Sequence, residues 1–254
     1  MYKDLTAQDY RRHLKLPDNY TVDGFIVYGT YKNHPFEQFE ESLKRVGYEY
    51  KKSKLKHDFF GSLMEFNVGG KKIWLAIAYG GALLSEYLHL ACLFGSKKNI
   101  LIGSCGGLKK DASSQELIVP DWSSASESSA KAYDRDSNGT YYSDKNFSNT
   151  LAELLAEKHV VHRGATVTFQ AMLAETWEDI QNWVSMGFIA VEMEAATVFA
   201  VSNHFNVQSA AILIIGDNLI KEQTVVDVNY ENVQAKRRKV AQDAFDVATK
   251  NLLA

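Results

Sequence analysis

Three acids in this chain stand where water is scarce. Glu192 and Glu194 lie in the apolar stretch Ala190-Val-Glu-Met-Glu-Ala-Ala-Thr-Val-Phe-Ala200, and Asp217 follows the apolar run Ala210 to Ile215. An ionised carboxylate removed from water without partners is costly, so each acid either pairs with protein groups or serves a ligand. The chemistry open to them is specific. A buried carboxylate accepts charge-assisted hydrogen bonds from hydroxyls and favours positive charge developing nearby. Burial can also raise a carboxyl pKa toward neutrality, which makes it a proton donor. Glu192 and Glu194 are expected inside an apolar helix, with Asp217 at the end of a strand.

Elements to hold these acids are visible as an alternation. Phe25 to Tyr28, Lys72 to Ala78, Asn99 to Ile102 and Ala210 to Ile215 are short apolar runs, the pattern of strands buried on both faces. Between them, Leu84, Leu88, Ala91 and Cys92 recur at helical spacing in Leu83 to Phe94, with Gly95 as a stop. From Val228 to Leu253, the residues Val233, Val240, Ala244, Val247 and Ala248 form one stripe of a covering helix. The expected fold is α/β, a single domain over residues 1–254, with three layers: a mixed, largely parallel central sheet flanked by helices. In such sheets ligands bind beyond the carboxyl ends of the strands. Two glycine-rich strand ends, at Gly29 and at Gly103-Ser-Cys-Gly-Gly107, would let backbone approach an anion there. The Ser-rich segment Asp121 to Asn149 lacks an apolar period, and is expected as a surface excursion or a mobile loop over the site.

Composition narrows the partners. With 254 residues, 46% of them hydrophobic, the chain can bury one large core. Its net charge is −3 and its longest basic block is Lys236-Arg-Arg-Lys239, which argues against a nucleic-acid partner held through phosphates. Cys92 and Cys105 are the only cysteines, and neither has a Cys or His neighbour at zinc spacing. They read as free buried thiols in a reducing compartment. No metal site is expected, and no apolar run approaches the roughly 20 residues that cross a bilayer. A cytoplasmic protein without a membrane partner is the expectation.

Gly103-Ser-Cys-Gly-Gly107, Val191-Glu-Met-Glu-Ala195 and Gly216-Asp217-Asn218, in this order and spacing, resemble the superfamily of purine nucleoside phosphorylases, uridine phosphorylases and methylthioadenosine nucleosidases. Supporting pieces are His13-Leu-Lys-Leu16, Gly80-Gly81 and Trp183-Val-Ser-Met-Gly187, so the likeness runs along nearly the whole chain. It implies that Glu194 accepts the ribose 2′- and 3′-hydroxyls, with Met193 beneath the sugar and Glu192 beside it. Asp217 would protonate the leaving base at a ring nitrogen. His13 would reach a neighbouring subunit to hold the 5′-hydroxyl, which implies a homodimer or a homohexamer with shared sites. Gly29 and Ser104 would hold phosphate, a co-substrate and not a resident cofactor. Cys105, Gly106, Phe169, Gln170, Met172 and Val191 would line the base slot.

The chain also departs from that superfamily. The loop Gly29-Thr-Tyr-Lys-Asn-His-Pro35 and position Leu101 lack the arginines that hold phosphate in phosphorylases. Lys32 is a substitute for one, and Lys54, Lys56 or Arg45 for the cation that crosses subunits, although a lysine lacks the bidentate fork. The stretch Glu222 to Tyr230 lacks the arginine that aids proton transfer in the purine enzymes, and the uracil-reading segment of uridine phosphorylases is replaced by Thr166 to Glu175. Three functions stay open: transfer of the ribosyl group of a purine nucleoside to phosphate, hydrolysis of the same bond, and nucleoside binding without turnover. A hydrolase needs a base near the water, and no Glu lies between Gly29 and Pro35; Glu37 and Glu40 come later.

Overall fold

The computed structural model describes residues 1–126, 128–221 and 230–254, except for the side chains of 230–234. In chain order the helices are α1 (Ala7–His13), α2 (His34–Val46), α3 (Gly81–Leu93), α4 (Ala130–Tyr133), α5 (Lys145–Ala156), α6 (Trp177–Ser185), α7 (Ala195–His204) and α8 (Tyr230–Leu253). The strands are β1 (Gly24–Gly29), β2 (Tyr50–Ser53), β3 (Leu63–Val68), β4 (Lys71–Ala78), β5 (Lys98–Gly107), β6 (Leu117–Ser124), β7 (Thr140–Tyr142), β8 (Val161–Thr168), β9 (Ala190–Glu192) and β10 (Gln208–Asn218).

The centre of the sheet follows from strands that are apolar on both faces. β4, β1, β5 and β10 lie side by side and parallel, and antiparallel partners flank them, β3 beside β4 and β6 beside β10. Along β1, Phe25 and Val27 enter one core and Ile26 and Tyr28 the other; along β10, Ala211, Leu213 and Ile215 alternate with Ala210, Ile212 and Ile214. Because successive side chains point to opposite faces, each strand feeds two cores. The first core packs under α3 and α7, the second under α2, α5 and α8. This is the three-layer α/β arrangement expected from the sequence. β10 pairs with both β5 and β6, so part of the sheet closes on itself through β6, β8 and β9. No described helix is long and apolar enough to cross a membrane.

Several local expectations are corrected. Gly103-Ser-Cys-Gly-Gly107 is not a turn beyond a strand; it is the last half of β5, paired with β10 and β9. Glu192 and Glu194 are not inside a helix. Glu192 ends the short strand β9, and Glu194 is the residue that precedes the first turn of α7, with non-helical backbone at φ −131° and ψ −30°. The segment Asp121 to Asn149 is not a loop over the site: apart from Glu127, which lies outside the described residues, it holds the end of β6, α4, β7 and the start of α5 with short connections between them, and none of its described residues lines the cavity at the carboxyl ends of β1, β5 and β10. Val228, the side chain of Val233 and the stretch 222–229 also lie outside the described residues.

Candidate active site

Glu192 does for α7 what a capping side chain does. The first N–H groups of a helix have no partner within it. Here Glu192 Oε2 accepts from the Glu194 and Ala195 N–H groups at 2.7 and 2.6 Å, and Thr168 Oγ1 accepts from the Ala196 N–H at 3.0 Å. Glu192 Oε1 takes hydrogen bonds from Ser123 Oγ at 3.1 Å and from Thr168 Oγ1. Burial pushes its pKa up, and these donors oppose the shift. Both oxygens are therefore engaged by protein, and the negative charge sits at the positive end of a helix.

Glu194 is held differently. Its Oε1 accepts one bond, from the Gly80 N–H at 2.7 Å. Gly80 adopts φ +82°, open to glycine, and starts α3. The same carboxylate lies against Gly29, where a β-carbon would meet Oε2 at 2.8 Å, so glycine there is a steric requirement. Burial first, and the Glu192 charge second, push the Glu194 pKa up to about 8. Gln170 joins the two helices: its Oε1 accepts from the Gly81 N–H at 2.9 Å, and its Nε2 donates to the Met193 carbonyl at 2.8 Å.

Asp217 owes its position to a bulge. Between Ile215 and Asp217 the pairing of β10 with β5 shifts, so that Ile215 faces Cys105 and Asp217 faces Gly106, with Gly216 as the extra residue. A bulge re-aims the side chain that follows it. Burial raises the Asp217 pKa, while Arg237 works against that rise.

These groups line one cavity of about 330 Å³ at the carboxyl ends of β1, β5 and β10, a size suited to a small molecule. The lining includes Glu192, Met193, Glu194 and Asp217, with Gly29, Lys32 and Ser104 and with Cys105, Gly106, Met172 and Val191. Cys105 is buried, and its thiol is pushed up by burial and by the charges of Asp217 and Glu192. Phe169 and Gln170 are not in the lining: Phe169 packs on Trp183 with ring centres 5.3 Å apart, and the Gln170 amide is used at both ends as described. His13 is exposed at the end of α1, beside His57, and does not line the cavity of its own chain.

Sequence reasoning missed Arg237 and Arg238, which come from the basic block Lys236-Arg-Arg-Lys239 that was weighed only against a nucleic-acid partner. Tyr28 of β1 stacks on Phe245 of α8 at 5.7 Å with planes 15° apart, which anchors α8 over the strand ends. Eight residues earlier, about 12 Å along the helix, Arg237 lies over the cavity. Its guanidinium donates to Ser104 Oγ and rests on Gly216, where a β-carbon would meet it at 3.0 Å. Arg238 and His34 also line the cavity. Gln38 of α2 ties this part of α8 down by donating to the Arg238 carbonyl at 3.1 Å. Arg45, by contrast, pairs with Asp243 and Asp246 at 3.5 and 3.1 Å within the chain. Lys54 and Lys56 are exposed.

Comparison with known proteins gives the family. Residues 36–253 match the family model described as the phosphorylase superfamily. The chain belongs to the phosphorylase superfamily. Among its phosphorylase-superfamily relatives, the guanosine phosphorylase of Halorubrum lacusprofundi is 28% identical over 122 residues, which cover 46% of this chain and 49% of that one. The match thus spans about half the length of that relative. The structure of uridine phosphorylase from Vibrio fischeri superimposes with a TM-score of 0.71 at 20% identity, covering 98% of this chain and 99% of that one. The 5′-methylthioadenosine/S-adenosylhomocysteine nucleosidase of Helicobacter pylori gives 0.67 at 19% identity, covering 92% and 98%. At these identities the two structures show the shared fold, and both phosphorylases and nucleosidases stand in the superfamily.

Proposed function

We propose that this chain is a purine nucleoside phosphorylase, which cleaves the N-glycosidic bond and passes the ribosyl group to inorganic phosphate. The observation that carries this reading is the set of cations that line the same cavity as Glu194. Arg237, bonded to Ser104 and lying on Gly216, lines the cavity together with Arg238 and Lys32. Arginine supplies the forked donors that a phosphate takes up. The arginines absent from the first loop and from position 101 thus have counterparts on α8.

The chemistry divides among these groups. The ribose hydroxyls donate to Glu194, and Met193 packs under the sugar. As the bond between the anomeric carbon and the base nitrogen breaks, the sugar gains positive charge, which the Glu194 carboxylate favours. Asp217 gives its proton to a ring nitrogen, so that the base leaves neutral. A phosphate oxygen, aimed by Arg237 and Ser104, forms the new bond to the anomeric carbon, and the product is ribose 1-phosphate. His13 completes the site of a neighbouring copy in a homodimer or homohexamer, and the buried thiols suit the cytoplasm.

Hydrolysis is the second reading, favoured by the fold shared with a nucleosidase. Its weakness is the missing base: Glu40 is taken by Tyr50 at 2.7 Å and Lys52 at 2.6 Å, and Glu37 is exposed outside the cavity.

Incubation with inosine, adenosine, guanosine and uridine, with and without phosphate, tests the choice. Ribose 1-phosphate formed only with phosphate is the expected product; free ribose released equally fast without phosphate would overturn the proposal. Arg237→Ala is expected to raise KM for phosphate by on the order of tenfold or more, from the loss of a charge-assisted contact, with a smaller change in KM for the nucleoside. Initial rates over a phosphate series check it, and an unchanged phosphate KM would remove Arg237 from the anion site.

A further inference from the structure

One more acid faces the cavity, and the mechanism above leaves it idle. Glu175 follows the short turn Met172–Ala174 and lines the cavity together with Asp217, Met172 and Leu219. Its backbone is fixed from both sides. The Glu175 N–H bonds to the Met172 carbonyl at 3.3 Å, and the next residue, Thr176, caps α6 through reciprocal bonds with Asp179. The carboxyl group is half-buried, and among the described residues it has no hydrogen-bond or ion-pair partner in the protein.

The groups around Glu175 come from three elements. Asp217 of β10 and Tyr79 of the segment after β4 line the same cavity, and the charge of Asp179 reaches Glu175 from α6. None of them is a cation. Burial first, then the Asp217 charge and the Asp179 charge, push its pKa up to about 7.

Two carboxyl groups that line one cavity suit a ligand edge with two adjacent polar atoms. On a purine, the ring nitrogen of the five-membered ring and the substituent at carbon 6 share such an edge. Leu219 and Val191 pack against the Gly106 backbone, where a β-carbon would meet them at 2.8 and 3.2 Å, and all three line the cavity as apolar surface for the ring faces. Resting on the function proposed above, we propose that Glu175 reads the substituent at position 6 of the purine, next to the ring nitrogen served by Asp217. As a carboxylate it accepts from a 6-amino group; as a carboxylic acid it donates to a 6-oxo group. One side chain therefore changes its preference as it titrates.

The experiment measures kcat/KM for adenosine and for inosine from pH 6 to pH 8 in the wild type, Glu175→Gln and Glu175→Ala. Substrate pairs share the ribose, the phosphate and the ring nitrogen, so the ratio cancels effects common to both, including those of Glu194 and Asp217. In the wild type the adenosine-to-inosine ratio should rise on the order of tenfold across this range, as expected for a group titrating near pH 7. In both variants the ratio should be flat. A flat ratio in the wild type overturns the assignment, as does a slope that survives in Glu175→Gln or an equal loss on both substrates at every pH. If the wild type neither cleaves nor binds adenosine or inosine, the functional reading fails and this assignment fails with it.

Discussion

Glu194→Gln is expected to lower kcat/KM for nucleosides by on the order of 10³-fold, and to make the empty protein more stable at alkaline pH. The first effect follows from the proposed role: the amide keeps the shape of the carboxyl group and still accepts from the Gly80 N–H, but it cannot ionise as Glu194 does when the sugar binds, and so lacks the charge that strengthens the bonds from two sugar hydroxyls and favours the cationic sugar. The second follows from the burial of the acid. Folded, Glu194 keeps its proton to about pH 8; unfolded, it releases it near the ordinary glutamate value of 4.5. Between those values folding takes up a proton, so the contribution of this group to stability falls as pH rises from 4.5 to 8 and then levels off. A shift of that size is worth on the order of a few kcal/mol, and glutamine does not incur it. Urea unfolding of both proteins at pH 6 and pH 9 isolates the effect, because other buried acids titrate in both. The difference between them should widen with pH; equal slopes would mean that Glu194 is ionised and satisfied in the empty protein, contrary to its single bonded oxygen.

The same residue shows why part of this site was legible in the sequence. A carboxylate between Ala190 and Ala200 cannot be a solvated surface group, so the pattern alone pointed to a site. Its secondary structure was hidden, because a three-residue strand followed by a helix that starts at Ala195 leaves too few residues for any period to develop. The four central strands were visible since both of their faces are apolar. β6 was not: Pro120 interrupts it at a register shift, and its end, Asp121-Trp-Ser-Ser124, has the composition of a loop. Pairing with β8, and not local preference, makes that segment a strand.

Arg237 was missed for a different reason. In sequence it belongs to a basic run, and such runs are usually solvated. Yet Ala241, Ala244, Phe245 and Ala248 are buried along α8, and Arg237 stands on the same stripe one turn before Ala241. Extending the apolar period backwards separates Arg237 from Lys236 and Lys239, which are exposed. The signal was phase along the helix. Charge density concealed it.

Phase also governs the strand that carries the acid. Asp217→Asn is expected to slow cleavage of ordinary purine nucleosides by on the order of 10²-fold to 10⁴-fold in kcat, with little change in nucleoside affinity. The bulge at Gly216 and the bond of Arg237 to Ser104 do not depend on the Asp217 side chain, so the asparagine variant keeps the geometry and loses only the proton. A nucleoside of a purine methylated at the five-membered-ring nitrogen separates proton donation from simple damage. Its base already carries positive charge and leaves without protonation, so the variant should cleave 7-methylguanosine at a rate close to that of the wild type while failing on guanosine. Equal losses on the two substrates would show that asparagine disturbs the pocket, and undiminished turnover of guanosine would place the acid elsewhere. Burial makes the donor role physically reasonable, since it raises the Asp217 pKa. Arg237 opposes that rise and favours the carboxylate left after transfer, so the same pair of residues holds the proton before the bond breaks and tolerates its loss afterwards.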